Sequence, residues 1–163
     1  MDQKGAVEPV QSNPDVEHPR GLYSARLDEK GRLKLPADFH KYLTDLGSVK
    51  VFVTTFDERI GRIYPLPLWK QTETGLGQRG KLGKVMLFTA NDFGGDAELD
   101  GQGRMLIPAE LRKALKVENE QLRLQYEKGA IHFYGNTVYE EQRQAALATR
   151  AEALAIFEDE GLL

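Results

Sequence analysis

Two short runs of the chain hold residue types able to do chemistry at a spacing that repeats. Asp28 and Arg32 stand four apart with Lys30 and Gly31 between them, and Asp100 and Arg104 stand four apart around Gly103. Three uses are open. Two aspartates from related halves could share a proton as an acid–base dyad, as in aspartic proteases. Those enzymes follow the aspartate with a small hydroxyl residue and glycine, whereas Glu29-Lys30 and Gly101-Gln102 follow here. Alternatively, Arg32 and Arg104 could contact DNA, because guanidinium groups grip phosphates or pair bidentately with guanine, and a two-stranded ribbon is narrow enough for the major groove. In the third use each arginine forms an ion pair with the aspartate of its own turn and is structural. Spacing alone leaves the last two open.

The elements that must position these residues are themselves duplicated. The phrase from Ala25 to Ala37 returns from Ala97 to Ala109 at a constant offset of 72 residues, and Lys41/Lys113 and Leu43/Leu115 extend the match. About half of the nineteen aligned positions are identical. Two copies are too few for a solenoid and imply half-units that complete each other. Tyr23, Ala25 and Leu27 alternate with polar residues, the period of a half-buried strand. Asp28 to Gly31 reads as a turn, with Asp bonding backbone N–H groups and Gly closing it. Leu33 and Leu35 continue a second strand, and Pro36 suits a helix start. Phe39, Leu43 and Leu46 then mark one helical face, ended by Gly47.

Length and composition narrow the classes. A chain of 163 residues holds one ordinary domain, or two small ones sharing a core. No cysteine is present, so no disulfide framework or thiolate metal site is available, which fits a reducing cytoplasm. No apolar run approaches the roughly 20 residues of a membrane span, and the first residues lack a signal peptide's apolar region. His18, His40 and His132 have no ligand-like spacing, and no metal or other cofactor is expected. The net charge of −3 speaks against nucleic acid, but its distribution does not. Residues 20–50 carry seven Lys and Arg against four Asp and Glu, while residues 138–163 carry two against six. An acidic tail masks a basic first repeat.

The chain then divides as follows. Residues 1–17 are polar and read as a disordered extension. Residues 20–67 form the first repeat, hairpin then helix then hairpin, with a strand at Val49–Phe56 and a short one at Arg62–Pro67 ended by two prolines. Residues 68–92 are a connector. Its Gly75-Leu76-Gly77-Gln78-Arg79-Gly80 matches the dinucleotide fingerprint but follows a polar, helix-like stretch rather than a strand, so it reads as a mobile glycine-rich loop. Lys81–Ala90 is a second connector helix. Residues 93–136 form the second repeat. Residues 137–163 hold a helix over Tyr139–Phe157, with Leu147, Leu154 and Phe157 near one face, docked on the body or on a neighbouring subunit.

The doubled Asp-x-x-Gly-Arg followed by proline resembles the SpoVT/AbrB-type DNA-binding half-barrel. Two copies flanking Tyr64-Pro65-Leu66-Pro67-Leu68-Trp69, with Leu99 to Arg104 and Pro108 in the second, resemble the MraZ family of bacterial transcriptional regulators. Arg20-Gly21 matches that family's basic-glycine start. The resemblance spans about residues 18–147. It implies a β-rich α+β fold, a swapped-hairpin, double-split β-barrel made by both repeats with short helices and a C-terminal helix. It further implies a non-enzymatic, cytoplasmic and nucleoid-associated protein. Such a protein binds double-stranded promoter DNA as a ring-shaped homo-oligomer of eight subunits or more, and represses the division and cell-wall gene cluster. By motif position the DNA contacts are Lys30, Arg32 and Arg104, joined by Arg20 and Arg26, with Asp28, Gly31, Asp100 and Gly103 shaping the loops. Departures are Gln102 in place of a second lysine, the glycine-rich connector and His132-Phe133-Tyr134-Gly135 where an aromatic segment ends in tryptophan. The rival readings are an oligomeric interaction barrel that does not bind DNA, and a two-aspartate hydrolase.

Overall fold

Alternation in the duplicated phrase produces the same local structure twice. A computed structural model describes residues 16–163. The first repeat gives β1 (Tyr23–Ala25), β2 (Arg32–Lys34), α1 (Ala37–Asp45), β3 (Lys50–Thr55) and β4 (Gly61–Pro65). The connector gives α2 (Leu66–Gly77) and α3 (Gly80–Phe93). The second repeat gives β5 (Gly95–Glu98), β6 (Arg104–Leu106), α4 (Ala109–Leu115), β7 (Leu122–Glu127) and β8 (Ala130–Tyr134), followed by α5 (Asn136–Asp159). The fold is α+β, with an antiparallel sheet and five helices among the described residues.

The repeats are interleaved. A six-stranded sheet runs in the order β1-β7-β8-β4-β3-β5 and a two-stranded ribbon pairs β2 with β6. The sheet is open, with β1 and β5 at its edges, and a single bridge, Leu27 to Leu33, links it to the ribbon. Only β3–β4 and β7–β8 pair within a repeat; β1–β7, β5–β3, β2–β6 and β4–β8 all cross between repeats. The register exposes a pseudo-twofold axis. On the ribbon, counterparts Leu33 and Met105 face each other. Tyr23 faces Leu124 as its counterpart Gly95 faces Val53, and Leu124 and Val53 face Phe133 and Ile63 in turn. Arg62 and His132 are therefore counterparts, and they too face each other. The axis passes through Leu33/Met105 at one pole and Arg62/His132 at the other.

Two apolar clusters hold this arrangement. The larger draws Leu33, Phe39, Leu43, Val53 and Ile63 from the first repeat and Met105, Leu111, Leu122, Leu124 and Phe133 from the second, so neither repeat owns the core. A unit of roughly 45 residues would bury too little alone. The smaller cluster lies under the connector, where Trp69 of α2 stacks on Phe52 at 4.5 Å beside Tyr64 and Ala90.

Three expectations change. The glycine-rich run is not a loop: Gly75 and Gly77 lie in α2, Gly80 opens α3, and only Gln78 and Arg79 join them. The strand expected to run to Pro67 ends at Pro65, which stands at the N-cap of α2, and Pro67 lies in the first turn of that helix, where a missing N–H costs nothing. Of the two places expected for α5, the body takes little of it, for the helix has no buried residue and reaches Arg59 of the β3–β4 turn through Glu141 and Arg123 of β7 through the Tyr139 ring at 4.3 Å. Most of the extension read over residues 1–17 lies outside the described residues. Val16 packs against the core, and the His18 ring stacks on Tyr126 at 3.7 Å.

Candidate nucleic-acid interface

Each duplicated turn is built around its aspartate. Asp28 Oδ1 accepts from the backbone N–H groups of Lys30 and Arg32, both at 2.9 Å, and Oδ2 accepts from Arg32 Nε at 2.8 Å. Asp100 does the same for Gln102 N at 2.8 Å, Arg104 N at 3.0 Å and Arg104 Nε at 3.1 Å. Those bonds hold both carboxyls below the usual carboxylate range, the arginine backbone N–H first among the causes. A proton-sharing dyad would instead push one carboxyl up. Here both are lowered, and all three contacts of each lie within its own turn.

The arginines make the expected ion pairs and still have donors to spare. Each guanidinium is pinned at Nε by its own aspartate, yet its two terminal amino groups have no hydrogen-bond partner among the described residues. Both side chains remain about one-third exposed. An arginine held on one edge keeps a planar pair of donors aimed outward at little conformational cost, the geometry that recognises phosphate or guanine.

The turns are locked by the opposite repeat. Gly31 O accepts from Ile107 N at 3.1 Å, and Gly103 O accepts from Leu35 N at 2.8 Å. Both glycines have positive φ, +80° and +81°, a conformation that side-chain-bearing residues rarely adopt. Each also lies flat against a side chain from the other repeat. A Cβ on Gly31 would stand 2.3 Å from the Arg112 guanidinium carbon, and one on Gly103 would stand 2.9 Å from His40 Nδ1. Arg112 and His40 are counterparts, 72 residues apart. The two loops thus emerge from opposite ends of one short antiparallel ribbon. Leu33 and Met105 point into the core, and alternation puts Arg32, Lys34, Arg104 and Leu106 on the opposite face.

No family model matches the chain. Among curated proteins, it is 38% identical over 104 residues to the transcriptional regulator MraZ of Acidobacterium capsulatum, covering 62% of this chain and 71% of the relative. It is 30% identical over 139 residues to the transcriptional regulator MraZ of Nitrosococcus oceani, covering 83% of this chain and 93% of that protein. The Koribacter versatilis MraZ is 38% identical over 105 residues, 71% of its length. The chain belongs to the MraZ family. These MraZ relatives are named as transcriptional regulators, not as enzymes, in keeping with aspartates committed to turn architecture.

Of the remaining candidates, Lys30 belongs to the first turn, while Arg20 and Arg26 lie outside the ribbon and its turns. Lys30 sits at the exposed tip of the first turn. Arg26 is exposed just past β1. Arg20 lies before β1, paired with Glu17 at 3.3 Å, and the strand carries the chain away from it before loop one begins. Sequence reasoning missed two residues of the ribbon face. Lys34 stands directly opposite Arg104, and Leu106, 55% exposed, stands opposite Arg32. The strand alternation around Leu33 and Leu35 held the signal for Lys34, but the cross-repeat pairing that sets it beside Arg104 is invisible in sequence.

Proposed function

We propose that this chain is a sequence-specific DNA-binding transcriptional regulator. The observation that carries the reading is the pair of arginines, each clamped at Nε with its terminal amino groups open, set diagonally on one face of the same ribbon. Membership of a family whose curated members are named transcriptional regulators supports it. Lys30, Arg32 and Arg104 make the principal contacts, with Lys34 beside them. Arg20 and Arg26 serve as outlying phosphate contacts on flanking DNA, and Asp28, Gly31, Asp100 and Gly103 keep the loops in shape. The target is repeated promoter boxes upstream of the division and cell-wall gene cluster, the action is repression, and the place is the nucleoid in the cytoplasm.

The fold behind this function is read as a swapped-hairpin barrel. Residues 20–67 and 93–136 are its repeats, 68–92 the connector and 137–163 the helical tail. The acting species is a ring-shaped homo-oligomer. Its support is two unpartnered apolar stripes, Leu82, Val85 and Phe88 on α3 and Leu147, Leu154 and Phe157 on α5, all at least 40% exposed. A net acidic chain with few cations per subunit binds DNA weakly alone, and several loops on tandem boxes multiply affinity by roughly 10²–10⁴. The test is an electrophoretic mobility shift on one and several boxes beside a sizing column. Arg32→Ala loses binding with an unchanged oligomer, Arg104→Ala loses less, and one box binds far more weakly than several. Wild-type binding by Arg32→Ala, or equal binding to one box and several, overturns the proposal. A ring that ignores DNA altogether would favour the interaction-barrel reading.

A further inference from the structure

At the pole opposite the ribbon, the second pair on the pseudo-twofold axis is polar. Arg62 of β4 faces His132 of β8 in register. Arg62 is fixed from two sides: its guanidinium lies 5.0 Å from the Phe56 ring centroid, and NH1 donates to Tyr64 Oη at a long 3.4 Å. Its Nε is buried and has no hydrogen-bond partner among the described residues. A buried charged donor without an acceptor is uncommon, because desolvation is uncompensated.

The same guanidinium borders a cavity of about 430 Å³ between the β4–β8 surface and α2. That volume is within the range of small-molecule sites, roughly 300–1,000 Å³. Its polar lining is Arg62, Tyr64, Thr72, Glu127, Lys128 and His132, and Leu68 and Ala130 supply an apolar wall. Glu127 and Lys128 are neighbours on the β7–β8 turn and offset each other. Asp57, the other nearby carboxylate, is turned inward, accepting from Arg59 N at 2.9 Å, Ile60 N at 3.0 Å and Thr55 Oγ1 at 3.2 Å. The Arg62 charge is partly offset by Asp57, whose carboxyl is held low by the Ile60 and Arg59 N–H groups and in part by that charge, but the buried Nε of this cavity-lining residue has no acceptor among the described residues.

We propose that this cavity binds a small oxyanion, a phosphate or carboxylate group, with Arg62 as the anchoring donor, the His132 ring and the Tyr64 hydroxyl as neutral partners, and Lys128 at the mouth. Such a ligand would bridge the β4–β8 axis pair and α2. It would sit at the far end of the axis that the DNA-contacting ribbon straddles. The site stands apart from the DNA reading, since it uses none of the same residues.

The experiment uses the full chain without DNA. Inorganic phosphate and acetate are titrated at constant ionic strength, with chloride as the balancing salt, while the ring resonances of all three histidines are followed. A saturable millimolar shift of His132, with His40 at the ribbon and His18 unmoved, is the expected result. The thermal midpoint rises in parallel. A response to phosphate alone or to acetate alone fixes the ligand class. Arg62→Gln weakens binding by about tenfold or more. Because Arg62 also packs on Phe56, Lys128→Asn at the exposed turn supplies a second variant, with binding weakened about threefold. The proposal is overturned by the absence of a saturable His132 shift, by a uniform shift of all three histidines, or by wild-type affinity in Arg62→Gln.

Discussion

The two turns share a skeleton and differ in nearly everything the skeleton does not require. Both use an aspartate to bind two backbone N–H groups and one arginine Nε, and both place a glycine at positive φ. Around that frame, Lys30 becomes Gln102, Lys34 becomes Leu106, and the residue backing the opposite loop changes from His40 to Arg112. The constant aspartate is kept because its loss leaves two backbone donors unpaired, and the constant glycine because its φ is positive, costs that recur in both copies. The variable ones touch solvent or the other repeat. A duplicated element can therefore keep its geometry while one copy becomes strongly cationic and the other mixed.

The comparison breaks first at the aspartates. Asp28→Ala strips two backbone donors and frees Arg32, and the mobility shift should fall at least as far as with Arg32→Ala. Asp100→Ala should cost less, because its loop carries one cation fewer. Equal losses would mean that the two loops read DNA equally. Next in size are the glycines. Gly31→Ala and Gly103→Ala each force a left-handed conformation on a Cβ, with a destabilisation of about 1–3 kcal/mol in chemical denaturation. The closer approach at Gly31 makes it the worse of the two. Arg112 is itself tethered to the Ile107 carbonyl and, at 3.4 Å, to Glu118, so it does not simply swing away. Gly31→Ala combined with Arg112→Ala should relieve the clash but not the backbone strain, so the double mutant costs less than the sum of the singles in a cycle.

The duplicated phrase made the hairpins, the short helices and the turn chemistry legible, because each rests on local signals: alternation, Asp and Gly in a turn, Pro before a helix. The exchange of strands between repeats rests on contacts far apart in sequence, and nothing local distinguishes β1 pairing with β7 from β1 pairing within its own repeat. The connector failed for a related reason. Gly75, Gly77 and Gly80 look like loop punctuation, yet the first two lie in α2 and the third opens α3, while Gly83, inside the helix expected over Lys81–Ala90, would put a Cβ 1.8 Å from the Leu76 carbonyl oxygen. This glycine lets α3 approach α2 closely, a tertiary demand that outweighs its poor helix propensity. At the site, the ion-pair and DNA readings of Arg32 looked exclusive from spacing. The structure shows that one guanidinium has enough donors for the first while leaving others open.

Leu106→Lys sharpens the asymmetry of the ribbon from the other side. It restores on β6 the cation that Lys34 provides on β2, at an exposed position with no packing to lose. Affinity for promoter boxes should rise modestly, and the slope of log affinity against log salt should steepen by about 0.9 for each phosphate gained. A steeper slope with no loss of stability would show that the second loop is limited by charge. An unchanged slope would place Leu106 away from phosphate and argue for an apolar contact at the ribbon.

The smallest effect separates the poles by pH. Asp28 and Asp100 have carboxyls lowered from 3.8, so their stabilisation is present above that value and is lost only at still lower pH. His132 is lowered from 6.5 to about 4, chiefly by burial and then by the neighbouring Arg62 charge. A depressed folded pKa means that the folded state resists protonation. The contribution of His132 is therefore full above about pH 6.5, declines as pH falls towards about 4 and stays constant below. Its size should be on the order of 1 kcal/mol once the ring's partial access to solvent is discounted. Acid thus reaches the Arg62 pole before it reaches the ribbon. Chemical denaturation between those pH values should show a decline in wild type that His132→Gln flattens. Amides of the two Asp-x-x-Gly-Arg turns, followed by their NMR shifts over the same interval, should stay put. Loop shifts that track the His132 transition would instead couple the two poles along the pseudo-twofold axis.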